Sequence, residues 1–427
     1  MAEPGTAFRK FLILWSGRLI SAVGSGLTAF GLAVHVYRQT GKAAAVATVP
    51  LLAFLPALLL GAPAGVLADR HDRRLLMAAG DLLSAAGPAF ILACLALGRL
   101  TFWQVCVGVA VSSAFSSLIE PAYRATVSDL LDRDQYTKAA GLAHAAGSAQ
   151  YLISPILAGF LLTVSDLRLL LVLDIATFLI TCLAALAVRR GLPSKPQAPA
   201  EPFRRSFAAG WAAIARKRGI LELALAASLA TFFLGIIQTL SAPMILAFAD
   251  SAVLGSVETI SAAGMLAGGV LMGICPIRSR HRAILSVSLF SAGLAMVLFG
   301  LRENIGLIAV SGFLFFAMLP PANACLDYLA RTNIDASAQG RAWGLIGFIS
   351  QLGYAAAYAC AGILADRVFS PRLVPEGAFA GTLGRVFGTG AGRGAGALIS
   401  VSGLLLSATA VALNGAQAIR ALEPGRN

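Results

Sequence analysis

Charge is what this sequence has least of. Only 12% of its 427 residues are Asp, Glu, Lys or Arg, against 58% hydrophobic residues. A soluble chain of this length would need far more charge to coat its domains. Acids are scarcer than bases, 20 against 33, which leaves a net charge of +13. The four histidines (His35, His71, His144, His281) are scattered, with no HExxH and no zinc spacing. No GxSxG nucleophile turn and no GxxxxGK[ST] phosphate loop occurs, so hydrolase and ATP-driven chemistry built on those motifs is excluded. No catalytic residue, cofactor or metal site is expected. All six cysteines fall in apolar stretches without a CxxC, which points to core or lipid-facing thiols and away from disulfides. Alternation at period two is missing as well, which excludes a transmembrane barrel.

Long apolar runs are what the sequence does have. A helix needs about 20 mostly apolar residues to cross a bilayer. Twelve runs qualify, near 11–37, 43–68, 75–97, 102–126, 139–164, 167–189, 220–246, 252–275, 284–301, 304–329, 342–366 and 394–419. The expected fold is an all-α integral membrane protein. With the N-terminus inside, the inner connectors hold 23 of the 33 Lys and Arg residues and the outer ones 9, with Arg18 alone inside a run. This bias places both termini in the cytoplasm. The positive charge then has anionic lipid headgroups as its partner, not nucleic acid. Arg18 interrupts the first run and no small-x-small cleavage site follows it, so an uncleaved first span is expected.

The chain resembles itself across its midpoint. Gly141, Leu142, Tyr151, Ala158, Gly159 and Leu161 recur as Gly344, Leu345, Tyr354, Ala361, Gly362 and Leu364, every pair offset by 203. Pro121-Ala122 echoes Pro321-Ala322. The repeat predicts two six-helix bundles, 1–190 and 220–427. Between them, 191–219 is expected to be a cytoplasmic linker carrying a basic amphipathic helix on the inner leaflet.

One connector concentrates charge. The stretch GVLADRHDRRLL, Gly65–Leu76, stands between the second and third runs. Its Gly65, Leu67, Ala68, Asp69, Arg70, Arg73 and Arg74 resemble the G-x-L-A-D-R-x-G-R-R signature of the major facilitator superfamily. With the twelve runs and the repeat, the resemblance covers essentially the whole chain. It implies two pseudo-symmetric bundles that rock around a midplane site in alternating access. It also implies a cytoplasmic gate latch, in which Asp69 accepts from backbone N–H groups at the start of the eleventh helix. Arg73 would pair with Asp129 at the end of the fourth helix. The alternative is that the arginines of this loop only enforce topology. Asp72 stands where the signature has glycine; if the turn is left-handed there, Asp is a tolerable substitute. A worn copy, GGVLMGICPIRSRHR from Gly268, has no acid equivalent to Asp69.

Direction and cargo rest on further resemblance. SPILAG, with Ser154, Pro155 and Gly159, is similar to the fifth-helix Gly-Pro-x-x-Gly-Gly motif of the superfamily's drug exporters, with Ser154 and Ala158 replacing glycines. SAVGSGLTAFGLAVHVYRQTG from Ser21, LADRVF from Leu364 and GTGAGRGAG from Gly388 resemble the bacterial branch that includes macrolide and siderophore exporters. The last of these is expected to be a flexible outer loop. In this superfamily the first, fourth, seventh and tenth helices line the central cavity. Arg18 and Glu120 each lie roughly 10 Å from the cytoplasmic end of their helices, at ~1.5 Å of rise per residue. They are expected to pair and to couple protonation to transport. The competing arrangement joins Glu120 to Arg124 one turn on and lets Arg18 reach the inner headgroups. Gln238, Asp327, Tyr151 and Tyr354 face either the cavity or a seam between helices. Asp81 and Asp174 are expected to be packing groups satisfied by neighbours.

The function expected is proton-coupled efflux of an amphipathic small molecule (a drug, macrolide or siderophore-like compound) by a monomer in a bacterial inner membrane. A lysolipid flippase, a small-solute importer and a non-transporting sensor are the alternatives on the same fold.

Overall fold

The computed structural model describes residues 4–189, 208, 211–212, 214–275, 277–335 and 338–423. Twelve helices in it are long and apolar enough to cross a membrane. They are α1 (Ala7–Thr40), α2 (Ala43–Arg70, apolar over Ala43–Gly61), α3 (Arg73–Ala96), α4 (Phe102–Leu130), α5 (Lys138–Val164) and α6 (Leu167–Arg189). The others are α7 (Arg218–Ile245), α8 (Ser251–Ile274), α9 (His281–Leu301), α10 (Ile305–Asn333), α11 (Gln339–Arg372) and α12 (Arg393–Gly415). Each coincides with an expected run. The backbone must bond within its own segment in lipid, and the helix does this without a partner. Most of the 191–219 linker lies outside the described residues. Of its proposed amphipathic helix, Trp211, Ala212, Ile214 and Ala215 are helical, with Trp211 exposed and Ile214 buried.

Proline decides where the long helices break. The α-helical pattern is interrupted at Ala85 in α3, at Ser117–Leu118 in α4, at Ile153 in α5 and at Met318 in α10. Pro88, Pro121, Pro155 and Pro320-Pro321 stand just beyond these points. Each proline lacks an N–H and crowds the carbonyl a turn earlier, so the ladder opens on its N-terminal side. The echo of Pro121-Ala122 in Pro321-Ala322 thus marks the same kind of break in α4 and α10.

The chain forms two compact units, Met1–Gln39 with Thr48–Ala200, and Thr40–Ala47 with Glu201–Asn427. In the first, α1 packs on α6 through small residues. Gly17, Gly24 and Gly31 recur every seven residues, and a Cβ on them would meet Thr181, Thr177 and Leu170 respectively. Removing the side chain lets the two backbones approach closely, which is how helices associate in lipid. Gly87 of α3 lies likewise against the Gly108 carbonyl of α4. Phe11, Leu14, Met77, Tyr123, Leu130 and Val188 close one end of this unit with an apolar cluster.

Asp72 departs from the expected turn. Its backbone is extended, not left-handed, with φ −61 and ψ 108. It is the N-cap of α3: its carboxylate accepts from the N–H of Arg74 at 3.1 Å and pairs with Arg189 at 2.8 Å. The helix needs an acceptor at this position, which a glycine does not supply.

In the second unit, α9 packs on α12 (Gly293 against Gly403, Gly300 against Gly396) and α8 on α10 (Gly264 against Phe313). Beyond α11 the chain widens into a π turn, Ala365–Phe369, and then forms a short helix, Leu383–Phe387. The expected flexible loop GTGAGRGAG is instead a turn leading directly into α12. Gly388, Gly390 and Gly392 hold φ of 85, 127 and 76, which suits glycine alone. Arg393 at the head of α12 is 1% exposed, pairs with Glu303 at 3.0 Å and donates to the Phe387 carbonyl at 3.1 Å. At the other boundary of this unit, Asp366 accepts from the N–H groups of Ala43 and Ala44 at 3.1 and 2.8 Å. Gly362 makes room for that first turn of α2.

Two outcomes follow from this packing. Replacing Gly24 with Val should lower the thermal unfolding midpoint of the purified protein, since overpacking of a close seam costs about 1–3 kcal/mol. Gly61→Ala, whose added Cβ meets nothing within 4 Å, should leave it unchanged. For Asp72, burial works against the charged carboxylate, but the bonds from Arg189, Arg74 and Leu75 outweigh it and hold the group below its ordinary 3.8. The folded state therefore binds this proton less readily than the unfolded chain. The stabilisation is complete above the ordinary carboxylate value and is lost as pH falls through the lower folded value. Asp72→Asn should remove that acid-side component from a pH series of unfolding midpoints and lower the midpoint at pH 7.

Candidate functional site

The polar residues of α1 fall on one face. Arg18, Ser21, Ser25 and Thr28 are spaced three or four apart, which stacks them along a helix. They border a cavity of about 450 Å³ inside the first unit. Across it, α4 contributes Ser112, Ser116, Glu120 and Tyr123, α5 contributes Gln150, and α6 contributes Asp174 and Phe178. Leu32, Val49 and Ile91 supply apolar wall. A cavity with greasy walls and a few convergent polar groups is the usual form of a small-molecule site.

Arg18 and Glu120 meet here. Arg18 Nη2 lies 2.6 Å from Glu120 Oε2, while Arg124 Nε lies 2.7 Å from Glu120 Oε1. The two arrangements open in the sequence are therefore both realised, because the carboxylate has two oxygens and each takes one guanidinium. Arg18 also sits over the Tyr123 ring, 5.5 Å from its centroid. The side chains of Arg18 and Glu120 are 37% and 46% exposed, so this pair is open to the cavity it borders.

The connector residues divide. Arg73, with its side chain 8% exposed, pairs with Asp129 at 2.6 Å and donates to the Ala125 carbonyl at 3.4 Å. Arg74 is buried, Arg70 is exposed, and a Cβ on Gly65 would meet nothing within 4 Å. Asp69 has no hydrogen bond or ion pair among the described residues. In α5, Ser154 is 1% exposed and donates to the Val23 carbonyl at 3.0 Å, so the hydroxyl that replaces a motif glycine ties α5 to α1. Pro155 and Gly159 are buried beside it.

Of the remaining candidates, Tyr151 is 57% exposed and is not brought to the cavity. In the second unit, Tyr358 donates to Gln238 Oε1 at 3.3 Å, and the Tyr354 and Tyr358 rings lie 5.9 Å apart. Ser241 joins this group and reaches Glu258 Oε1 at 3.5 Å. Asp327 is exposed and stands apart from it. Sequence reasoning missed Glu258, although an acid eight positions into an apolar helix, α8, is itself a signal. It also missed Ser21, Ser25 and Thr28, which their spacing on α1 would have disclosed. Among the described residues, no group of three or more His, Cys, Asp and Glu is placed to hold a metal.

Comparison with known proteins agrees with this architecture. The chain is 28% identical over 371 residues to macrolide efflux protein A of Streptococcus pyogenes, covering 84% of this chain and 90% of that one. It is 29% identical over 315 residues to macrolide efflux protein A of Enterococcus faecalis, covering 72% and 97%. Among solved structures, a bacterial homologue of the human lysosomal transporter Spinster superposes with a TM-score of 0.73 at 13% identity, covering all of both chains. A bacterial homologue of the iron transporter ferroportin superposes with a TM-score of 0.67 at 15% identity, covering 96% and 99%. The family description Major Facilitator Superfamily matches residues 14–358. That match spans most of the chain and includes the Gly65–Leu76 connector, the Arg18–Glu120 pair and the cavity between them: this protein belongs to the Major Facilitator Superfamily.

Proposed function

We propose that this transporter exports an amphipathic small molecule, of the macrolide class or similar to it, in exchange for protons. The observation that carries the reading is Glu120, held between Arg18 and Arg124 at the border of the cavity in the first unit. This carboxylate holds one guanidinium on each of its oxygens. Protonating it releases both arginines and changes the charge lining the cavity by one unit, so proton binding and cargo binding compete for the same groups. The similarity to two macrolide efflux proteins supports the direction and the cargo class. Mixed apolar and polar walls suit an amphipathic cargo.

The Gly65–Leu76 connector acts as the cytoplasmic latch. Arg73 anchors it to α4 through Asp129, and Arg74 is buried within the same unit. Asp69, whose side chain has no partner among the described residues, is placed to bond to an incoming helix start. The protein works as a monomer in the bacterial inner membrane with both termini in the cytoplasm, a topology supported by the 23-to-9 distribution of Lys and Arg. Residues 191–219 serve as the tether between bundles that move as 1–190 and 220–427.

Inside-out vesicles test the whole reading. With an imposed pH gradient, wild-type protein should accumulate a labelled macrolide from a panel that also holds siderophores, dyes and lysolipids. Glu120→Gln should reduce gradient-driven accumulation at least about tenfold, the effect of losing 1.4 kcal/mol or more of coupling, while inserting into the membrane normally. Accumulation that ignores the gradient, or that survives Glu120→Gln, contradicts proton coupling at this residue. Accumulation of a lysolipid alone would replace efflux of drugs with lipid transport.

A further inference from the structure

The second unit bears a groove of about 310 Å³ on its surface, between α7 and α12. Glu222, Leu225 and Leu229 of α7 form one wall, and Thr409, Leu413 and Ala416 of α12 form the other. On each helix these positions lie three or four residues apart, which stacks them along one face. Leu225 is 55% exposed, so the groove opens away from the protein. The Thr409 hydroxyl is spent on the Leu405 carbonyl at 2.7 Å, which leaves Glu222 as the polar group of the lining. From Glu222 to Leu229 the groove runs about 10 Å at ~1.5 Å of rise per residue, within a single leaflet of a hydrocarbon core about 30 Å thick. A span from another chain would need a seam through both leaflets. One acyl chain fits the length.

The polar end of the groove is the head of α7. Arg216, Lys217 and Arg218 follow one another there, all exposed. Lys217 is the N-cap of α7 and its side chain accepts no hydrogen bond, so it does not satisfy the N–H groups of the first turn. Uncapped N–H groups among three bases attract a phosphate. Acids break this positive field at two points. Arg216 stands 3.7 Å from Asp335, with both side chains exposed. Glu222 is placed at the groove itself. Its Oε1 accepts from Arg218 Nε at 3.2 Å, while its Oε2 has no hydrogen bond among the described residues. The Arg218 side chain is 87% exposed and that of Glu222 only 26%, so the guanidinium stands outward and the carboxylate lies against the groove. The head of α7 thus asks for a phosphate and, about one turn on, for a positively charged N–H donor. A phosphatidylcholine carries no N–H on its quaternary ammonium, and a phosphatidylglycerol offers hydroxyls without the positive charge.

We propose that this groove is a binding site for a phosphatidylethanolamine, with its phosphate on Lys217 and Arg218, its ammonium on Glu222 Oε2 and one acyl chain between α7 and α12. The site rests on the proposed membrane placement only in setting the head of α7 at a headgroup surface. It does not depend on the direction of transport, the cargo or the coupling ion.

Native mass spectrometry of the purified full-length protein tests this by resolving the first lipid bound. The titrants are phosphatidylethanolamine, phosphatidylcholine and phosphatidylglycerol with identical acyl chains. Wild-type protein should bind its first phosphatidylethanolamine about tenfold more tightly than either of the others, the discrimination expected of one charge-assisted hydrogen bond. Glu222→Gln should bring phosphatidylethanolamine to the level of phosphatidylcholine. The double variant Lys217→Gln, Arg218→Gln should weaken all three lipids. Ala412→Trp, which places a ring on an exposed position of the α12 wall, should make the first lipid bind no more tightly than the second. An unfolding midpoint equal to wild type in lipid-free detergent shows that each variant is folded; should Glu222→Gln not fold, Ala412→Trp carries the test. Equal affinity for the three lipids in wild type, a preference for phosphatidylglycerol, or a preference that persists in Glu222→Gln or in Ala412→Trp overturns the proposal. So does a dimer that Ala412→Trp abolishes, which would give the groove to a second copy. Lipid selectivity in a protein that accumulates nothing in vesicles would leave this site standing and remove the efflux reading, and efflux without lipid selectivity would do the reverse.

Discussion

Inside a bilayer no water reaches the backbone, and the rest of this structure depends on that constraint. Every span must satisfy its own N–H and C=O groups, so twelve helices form before any tertiary contact is considered. The same constraint explains what holds them together. Apolar side chains gain nothing by leaving lipid for one another, so association relies on close contact of backbones. Gly17, Gly24 and Gly31 on α1, and the glycine pairs between α9 and α12, are that contact. Prolines are tolerated where the freed carbonyl has a partner or a cavity to face. Ser113 Oγ, for instance, donates to the Ala53 carbonyl at 2.5 Å, three positions before Pro56 on α2.

Polar side chains obey the same rule with different solutions. Acids inside the spans find different surroundings. Glu120 takes two arginines and stays wet. Asp174 accepts from Ser25, and Glu258 from Ser241. One helix, α1, serves two of these environments at once. Its glycines face α6 while its serines and Thr28 turn toward the cavity, one residue or about 100° away.

Much of this was legible in the sequence because it is encoded in runs. Twelve apolar stretches mark the helices, the 203-residue offset links α5 with α11, and the Pro-Ala echo links α4 with α10. The pairs Arg18–Glu120 and Arg73–Asp129 followed from depth and from the signature of the connector. What was not legible depends on rotation about helix axes, which a run of twenty apolar residues leaves free. Nothing in the order of residues says that Asp174 turns toward Ser25 on a helix 149 positions away. Glu120 was expected to take one arginine or the other, because counting charges along a chain treats a carboxylate as a point. The signature puts glycine where Asp72 stands and so concerns the backbone, whereas the Asp72 carboxylate caps α3. Glu258 stands among neighbours on α8 that belong to no motif.

Helix α2 has an unusual membership. Its first turn, with Thr40–Ala47, belongs to the second unit, where Asp366 and Gly362 hold it, and from Thr48 onward it belongs to the first. Directly after that division come Pro50, Pro56 and Pro63, each of which deletes a rung from the helical ladder. A helix fastened at one end and weakened repeatedly along its length has the mechanics of a leaf spring. The tetrapeptide Leu-Ala-Asp-Arg, which ends this helix at Leu67–Arg70, is spelled again at Leu364–Arg367, where its aspartate grips the other end of the same spring.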